Sequence, residues 1–73
     1  MKKETIIKLM NDEVYNNLSH YNAIYFQPKT GKFLYADTYI NNEIVNDLIN
    51  DKTITYIGNC IHQSEKMLKY ISI

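Results

Sequence analysis

Alternation of apolar and polar side chains is clearest in residues 21–40, where two such runs flank the Pro-Lys-Thr-Gly segment 28–31. Strand-favouring runs on both sides of a Pro/Gly segment predict a β-hairpin. Pro28 fixes φ at the start of the turn, and Gly31 can adopt the positive φ that closes a three-residue loop through a bulge. This loop predicts a register in which Phe26 lies opposite Leu34.

The predicted register sorts the side chains of the hairpin onto two faces, because alternate residues of a strand point to opposite sides. One face is aliphatic and consists of Ile24, Phe26, Leu34, Ala36 and Ile40. The other, which we call the aromatic stripe, consists of Tyr21, Tyr25, Phe33, Tyr35 and Tyr39, with Asp37 among them. Tyrosine combines an apolar ring with a polar hydroxyl and is enriched at protein contacts, so the aromatic stripe is the predicted partner-binding surface. The alternative is that these rings only stabilise the sheet.

Two helices are predicted outside the hairpin. Residues 3–19 form an amphipathic pattern whose apolar stripe is Ile6, Ile7, Met10, Val14 and Leu18. Residues 41–51 form a second helix, capped by Asn41 or Asn42. An alternative makes residues 4–10 a strand, because residues 11–18 resemble residues 41–48 and a duplication would give a βαββαβ order.

The remaining residues predict two more strands. Residues 53–61 are rich in β-branched and aromatic side chains, and Gly58 within them indicates a bulge. Residues 63–66 are turn-like, and residues 67–73 alternate as a last strand, with a short C-terminal helix at 64–70 as the alternative. The chain is therefore predicted to be one α+β domain, residues 1–73. Its small antiparallel β-sheet has three to four strands, with two helices on one face in αββαββ order.

The charge balance argues against nucleic-acid binding. Eight lysines and no arginine offset eight acidic residues, so the net charge is zero. Nucleic-acid binding depends on a basic field and often on bidentate arginine. No apolar run approaches the length of a membrane span, and no secretory signal is visible, so a cytoplasmic protein without membrane contact is expected.

Few residues in the chain could carry chemistry. Cys60 and His62 are two apart on a predicted strand, so their side chains point the same way, and together with His20 or Asp37 they could assemble a metal site. This ligand set is too small to predict a metal or any other cofactor. A Cys–His nucleophile would also need an orienting group and an oxyanion hole, and two glycines cannot form a phosphate-binding loop. We therefore expect no enzymatic activity, and a Cys-dependent enzyme is the least favoured hypothesis.

These features together favour a small non-catalytic protein-binding module that docks on a larger protein through the aromatic stripe. The abundance of Ile, Asn, Lys and Tyr, which have AT-rich codons, suggests an inhibitor or accessory factor encoded by a phage or plasmid. A homodimer is a further expectation, since small domains often gain stability by association. A small dimeric nucleic-acid-associated regulator is the alternative function.

Overall fold

A computed structural model describes residues 1–18 and 20–73. Its helices are α1 Lys3–Asn11, α2 Glu13–Asn16 and α3 Asn42–Asn50. Its strands are β1 Ala23–Gln27, β2 Lys32–Tyr35, β3 Thr38–Ile40, β4 Ile54–His62 and β5 Glu65–Ser72. All five strands form one antiparallel sheet in the order β3-β2-β1-β5-β4. The predicted α+β class is confirmed, but the sheet has five strands rather than three to four and the described residues form three helices rather than two.

The first helix is interrupted at Asp12. Residues 4–10 are helical, so the alternative strand there, and with it the βαββαβ order, is wrong. The predicted single helix over 3–19, whose last residue lies outside the described ones, is also wrong, because Asp12 adopts an extended backbone with ψ 129°. Its carboxylate instead accepts hydrogen bonds from the backbone N–H groups of Val14 and Tyr15 and thereby caps α2. The break turns Val14 away from the core, where it is 71% exposed, and leaves Leu18 exposed as well.

The β1–β2 hairpin has a loop of four residues, one more than predicted. Gln27 lies opposite Lys32, Phe26 opposite Phe33 and Tyr25 opposite Leu34. The Gln27 carbonyl accepts from the N–H groups of residues 30 and 31, and Gly31 has the expected positive φ, at 69°. A shift of one residue moves every side chain of one strand to the other face. The predicted pairing of Phe26 with Leu34 is therefore wrong, and the faces of β2 are exchanged.

Helices α1 and α3 cover one face of the sheet and share a single core with it. The buried residues of this core are Ile6, Met10, Ile24, Phe33, Tyr35, Ile40, Val45, Leu48 and Ile54. Helix α3 begins as predicted, because the Asn41 side-chain oxygen accepts from the N–H groups of Glu43 and Ile44 at 2.7 and 3.4 Å. A Lys3–Asp51 ion pair of 2.6 Å links the start of α1 to the residue after α3.

Strand β3 was not predicted because its turn lacks the usual signal. Ala36 and Asp37 connect β2 to β3 with φ values of 52° and 58°. Two consecutive positive φ angles define the tight hairpin turn for which Asn-Gly or Asp-Gly is the typical sequence. The β4–β5 turn uses Gln63 and Ser64 in the same way, with φ values of 51° and 62°.

Strands β4 and β5 confirm the sequence prediction for the C-terminal third of the chain. The bulge is present, with a register shift between Tyr56 and Gly58. Residues 65–72 form a strand, so the alternative helix at 64–70 is wrong.

Beyond the bulge, the β4–β5 hairpin curls over the face of the sheet that the helices leave uncovered. In the sheet register, Tyr25 lies opposite Lys69 and His62 lies opposite Glu65. Glu65 is four residues, or about 13 Å, along β5 from Lys69, and His62 is on the far side of β5 from β1. The His62 and Tyr25 rings are nevertheless stacked with centroids 5.3 Å apart. The curl also explains why Met67, which points away from the helices, is only 1% exposed.

Candidate functional site

The aromatic stripe does not exist as one surface. Phe33 is 6% exposed and Tyr35 is 0% exposed, both beneath the helices, and Tyr21 is half-buried against the same core. Only Tyr25 and Tyr39 lie on the opposite face. The prediction that all five share an accessible face is wrong because the four-residue loop exchanges the faces of β2.

Tyr35 is buried in the core with its hydroxyl satisfied, because the hydroxyl donates to the Tyr21 carbonyl at 2.8 Å. Burial, with a smaller contribution from Tyr21, raises the pKa of Tyr35 to about 12. The Tyr21 ring packs edge-on against the rings of Tyr15 and Tyr35 at 5.0 and 5.9 Å. The Tyr35 ring is therefore buried inside the fold, and the Tyr21 ring is half-buried beside it.

Tyr39 is half-exposed, but its hydroxyl belongs to an intramolecular network. It donates to Gln27 Oε1 at 2.8 Å, and Gln27 Nε2 donates to Glu65 Oε2 at 2.9 Å. The Lys32 ammonium lies 5.1 Å from the centroid of the Tyr39 ring. The network links β1, β3 and β5, so Tyr39 stabilises the curled hairpin through its hydroxyl.

A cluster of Tyr25, Asp37, Cys60 and His62 lies beneath the curled hairpin. His62 Nε2 is 3.7 Å from Asp37 Oδ1, and the His62 ring stacks on Tyr25. Burial raises the pKa of Tyr25, with further contributions from Cys60 and Asp37. Cys60 and His62 share a face of β4, as expected from their spacing. The imidazole contacts Tyr25 and Asp37, and no hydrogen bond joins it to the Cys60 thiol in the part of the chain described. Through these two contacts His62 packs the β4–β5 hairpin against the sheet.

A cleft of about 470 Å³ lies between the β1–β2 loop and the β4–β5 turn. Leu68 forms part of its apolar lining, and Lys29 and Lys66 contribute to its walls. The Glu65 Oε1 atom is buried and has no hydrogen-bond partner. Because both lysines are exposed, the cleft is an open depression between two turns.

The β4 edge is the most unusual feature of the surface. Strand β4 is nine residues long and pairs only with β5, whereas the opposite edge strand, β3, has three residues. It contains no Asp, Glu, Lys or Arg, and it exposes Ile57 (50%), Ile61 (73%) and Tyr56. Soluble proteins usually protect sheet edges with charges, proline, short strands or bulges. Of these devices β4 has the bulge alone.

The turn geometry shows which backbone groups of β4 face outward. His62 and Glu65 close the two-residue turn, and such closing residues exchange hydrogen bonds with each other. Hydrogen-bonded and non-hydrogen-bonded positions alternate along an antiparallel pair. Cys60 therefore also bonds to β5, while the N–H and C=O groups of Asn59 and Ile61 point to the free edge. Sequence reasoning missed this site, although the absence of charge over residues 53–62 is a visible signal.

No protein-family model, no curated protein and no solved structure matches this chain. Within residues 1–18 and 20–73, no three His, Cys, Asp or Glu side chains are grouped as a metal site. Across the same two ranges, no helix has the length and apolar character needed to cross a membrane.

Proposed function

We propose that this chain is a small non-catalytic protein-binding module that pairs its β4 edge with an extended segment of another protein chain. The observation that supports this most directly is the long, uncharged edge strand with Ile61 73% exposed. In strand addition, backbone hydrogen bonds supply affinity and alternate side chains supply specificity.

The two sides of the β4 edge would recognise different features of a partner strand. Asn59 and Ile61 project on the helix side of the sheet, and Cys60 and His62 project on the other side. An apolar residue of the partner beside Ile61 would remove that side chain from water. Fully burying an isoleucine side chain is worth about 1.5–3 kcal/mol, so Ile61 is the side chain that we expect to dominate the contact.

This surface replaces the aromatic stripe in the docking hypothesis. An inhibitor or accessory factor encoded by a phage or plasmid could act in this way in the cytoplasm, by occupying the free sheet edge of a larger host protein. The unpaired thiol of Cys60 is compatible with a reducing compartment.

The proposal is tested by affinity capture with matched variants. Ile61→Lys places a charge on the edge, the device by which natural proteins prevent edge pairing. Val14→Lys is the control, because Val14 is equally exposed (71% against 73%) but lies on α2. The wild type and Val14→Lys should capture the same protein, and Ile61→Lys should lose it. Equal capture by all three would refute β4 as the binding surface.

A further inference from the structure

We propose that the strand received by β4 is β4 of a second copy, paired antiparallel about a two-fold axis at Cys60. This inference rests on the proposed function, because it names the partner of the same edge. A two-fold contact places one surface against itself, so it requires a strand that complements its own sequence.

The positions of the outward-facing backbone groups select this register. Between the bulge and the turn, Asn59 and Ile61 are the residues whose N–H and C=O groups face the free edge. An axis at Cys60 places Asn59 of each copy opposite Ile61 of the other, so both residues of both copies exchange hydrogen bonds. An axis at Asn59 would place Ile61 opposite the bulge residue Ile57. An axis at Ile61 would place Asn59 opposite the turn. Only the Cys60 register satisfies all the outward groups of this segment.

The side chains of the segment are compatible with the same register. His62 would lie opposite Gly58 of the second copy, and a Cβ built at Gly58 meets nothing within 4 Å, so there is space beside it. The two Ile61 side chains would be diagonal neighbours on the helix side, about 7–8 Å apart at Cα and able to cover each other in part. The absence of charged residues in β4 means that the two-fold axis brings no like charges opposite each other. The zero net charge of the chain also limits repulsion between copies.

The first experiment measures mass in solution. Because the paired segment is short, the contact falls in the class of small, weak interfaces, and sedimentation equilibrium should cover micromolar to millimolar protein. The wild type should rise from 8.6 kDa towards twice that mass over this range, and Val14→Lys should do the same. Ile61→Lys should remain at the monomer mass while keeping the wild-type circular dichroism spectrum. A monomeric wild type at millimolar concentration, or an Ile61→Lys variant that dimerises equally well, would overturn the inference.

The second experiment measures the register by disulfide formation. All chains carry Cys60→Ser, and one population then carries Asn59→Cys while a second, tagged population carries Ile61→Cys. Diamide accepts the two hydrogens lost when two thiols join. In the proposed register the two new thiols lie directly opposite each other, at a Cα separation of about 5.5 Å that a disulfide accommodates. Tagged-to-untagged dimers should therefore form at least tenfold faster than either like pair. Chains carrying Asn46→Cys, on the exposed side of α3, give the rate of random collision. Like pairs in excess, or all pairs at the collision rate, would refute the register.

The two proposals fail differently. If the wild type stays monomeric but captures another protein in an Ile61-dependent manner, the second copy is the wrong partner and the proposed function stands. If Ile61→Lys changes neither the mass in solution nor capture, β4 is not a binding edge and both proposals are wrong.

Discussion

Replacing Tyr35 by Phe tests whether the fold buries this hydroxyl, on which the corrected register depends. The substitution leaves the ring in the core and removes the donor to the Tyr21 carbonyl, 2.8 Å away. A buried carbonyl that loses its partner costs about 1–3 kcal/mol, so the variant should be destabilised by roughly 1–2 kcal/mol at neutral pH.

This loss of stability should shrink as the pH rises. The pKa of Tyr35 is about 12 in the folded chain against an ordinary value of 10.0, so the unfolded chain releases the proton first. The contribution of the protonated Tyr35 hydroxyl to stability is therefore complete below pH 10 and is lost as the pH rises through 12. Each pKa unit corresponds to about 1.4 kcal/mol, so near pH 11 the wild type has lost about that amount. The Phe variant cannot lose it, and the two proteins should have similar stabilities there.

The measurement is chemical denaturation of both proteins at pH 7 and at about pH 11, followed by far-ultraviolet circular dichroism. Tyr25, whose pKa is also raised by burial, titrates in both proteins and cancels in the difference. Tyr15→Phe is the control, since Tyr15 is 39% exposed and its hydroxyl makes no hydrogen bond among the described residues. A stability gap for Tyr35→Phe that stays constant over this pH range would place the hydroxyl in solvent, as the three-residue loop predicted, and would refute the corrected register.

Three further substitutions test other parts of the fold by the same denaturation assay. Asn41→Ala removes the cap of α3 and should cost about 1 kcal/mol, whereas Asn46→Ala on the exposed side of the same helix should cost less than about 0.5 kcal/mol. Gly31→Ala places a side chain at φ 69° and should cost about 1–2 kcal/mol; no loss would show that the loop adopts another conformation. Met67→Ala should cost about 2–5 kcal/mol, although Met67 points away from the helices, because the curled hairpin buries it. The matched change Ile61→Ala on the exposed edge should cost under about 0.5 kcal/mol in the monomer, and equal costs for the two would show that the hairpin does not curl.

The elements that sequence predicted well are those specified by local signals. Helix α3 has its cap, its acidic first turn and its apolar stripe within ten residues, and Asn41 fulfils the role expected of it. The bulge near Gly58 and the last strand likewise follow from residues close together in the chain. Such features need no knowledge of tertiary contacts.

The features that the sequence mispredicted lie where local signals conflict or are absent. The segment 28–31 is compatible with a three- or a four-residue loop, and the core decides between them, because only the longer loop puts Phe33 and Tyr35 beneath the helices. Asp12 lies within an amphipathic helical pattern and is also a good N-cap residue. In the structure it ends α1 and caps α2. Strand β3 follows a turn that contains no glycine, so the sequence gives no local signal for the start of a new strand. The prediction of the candidate site was affected most, because the aromatic stripe required the β2 side chains to lie on the predicted face.

The correction also changes which side chains indicate a contact. An exposed tyrosine keeps its hydroxyl hydrated, so its position on a surface carries little penalty and is weak evidence for a partner. In this fold Tyr35 is inside with its hydroxyl satisfied, while Ile57 and Ile61 are outside with no polar group to hydrate. Neither isoleucine reduces its own exposure by packing on the core, and both belong to a strand with unpaired backbone groups. A partner strand at β4 would satisfy those groups and cover apolar surface in one step, which no arrangement of the buried rings could achieve. The exposed isoleucines, and not the tyrosines, therefore identify the β4 edge that we propose as the binding surface.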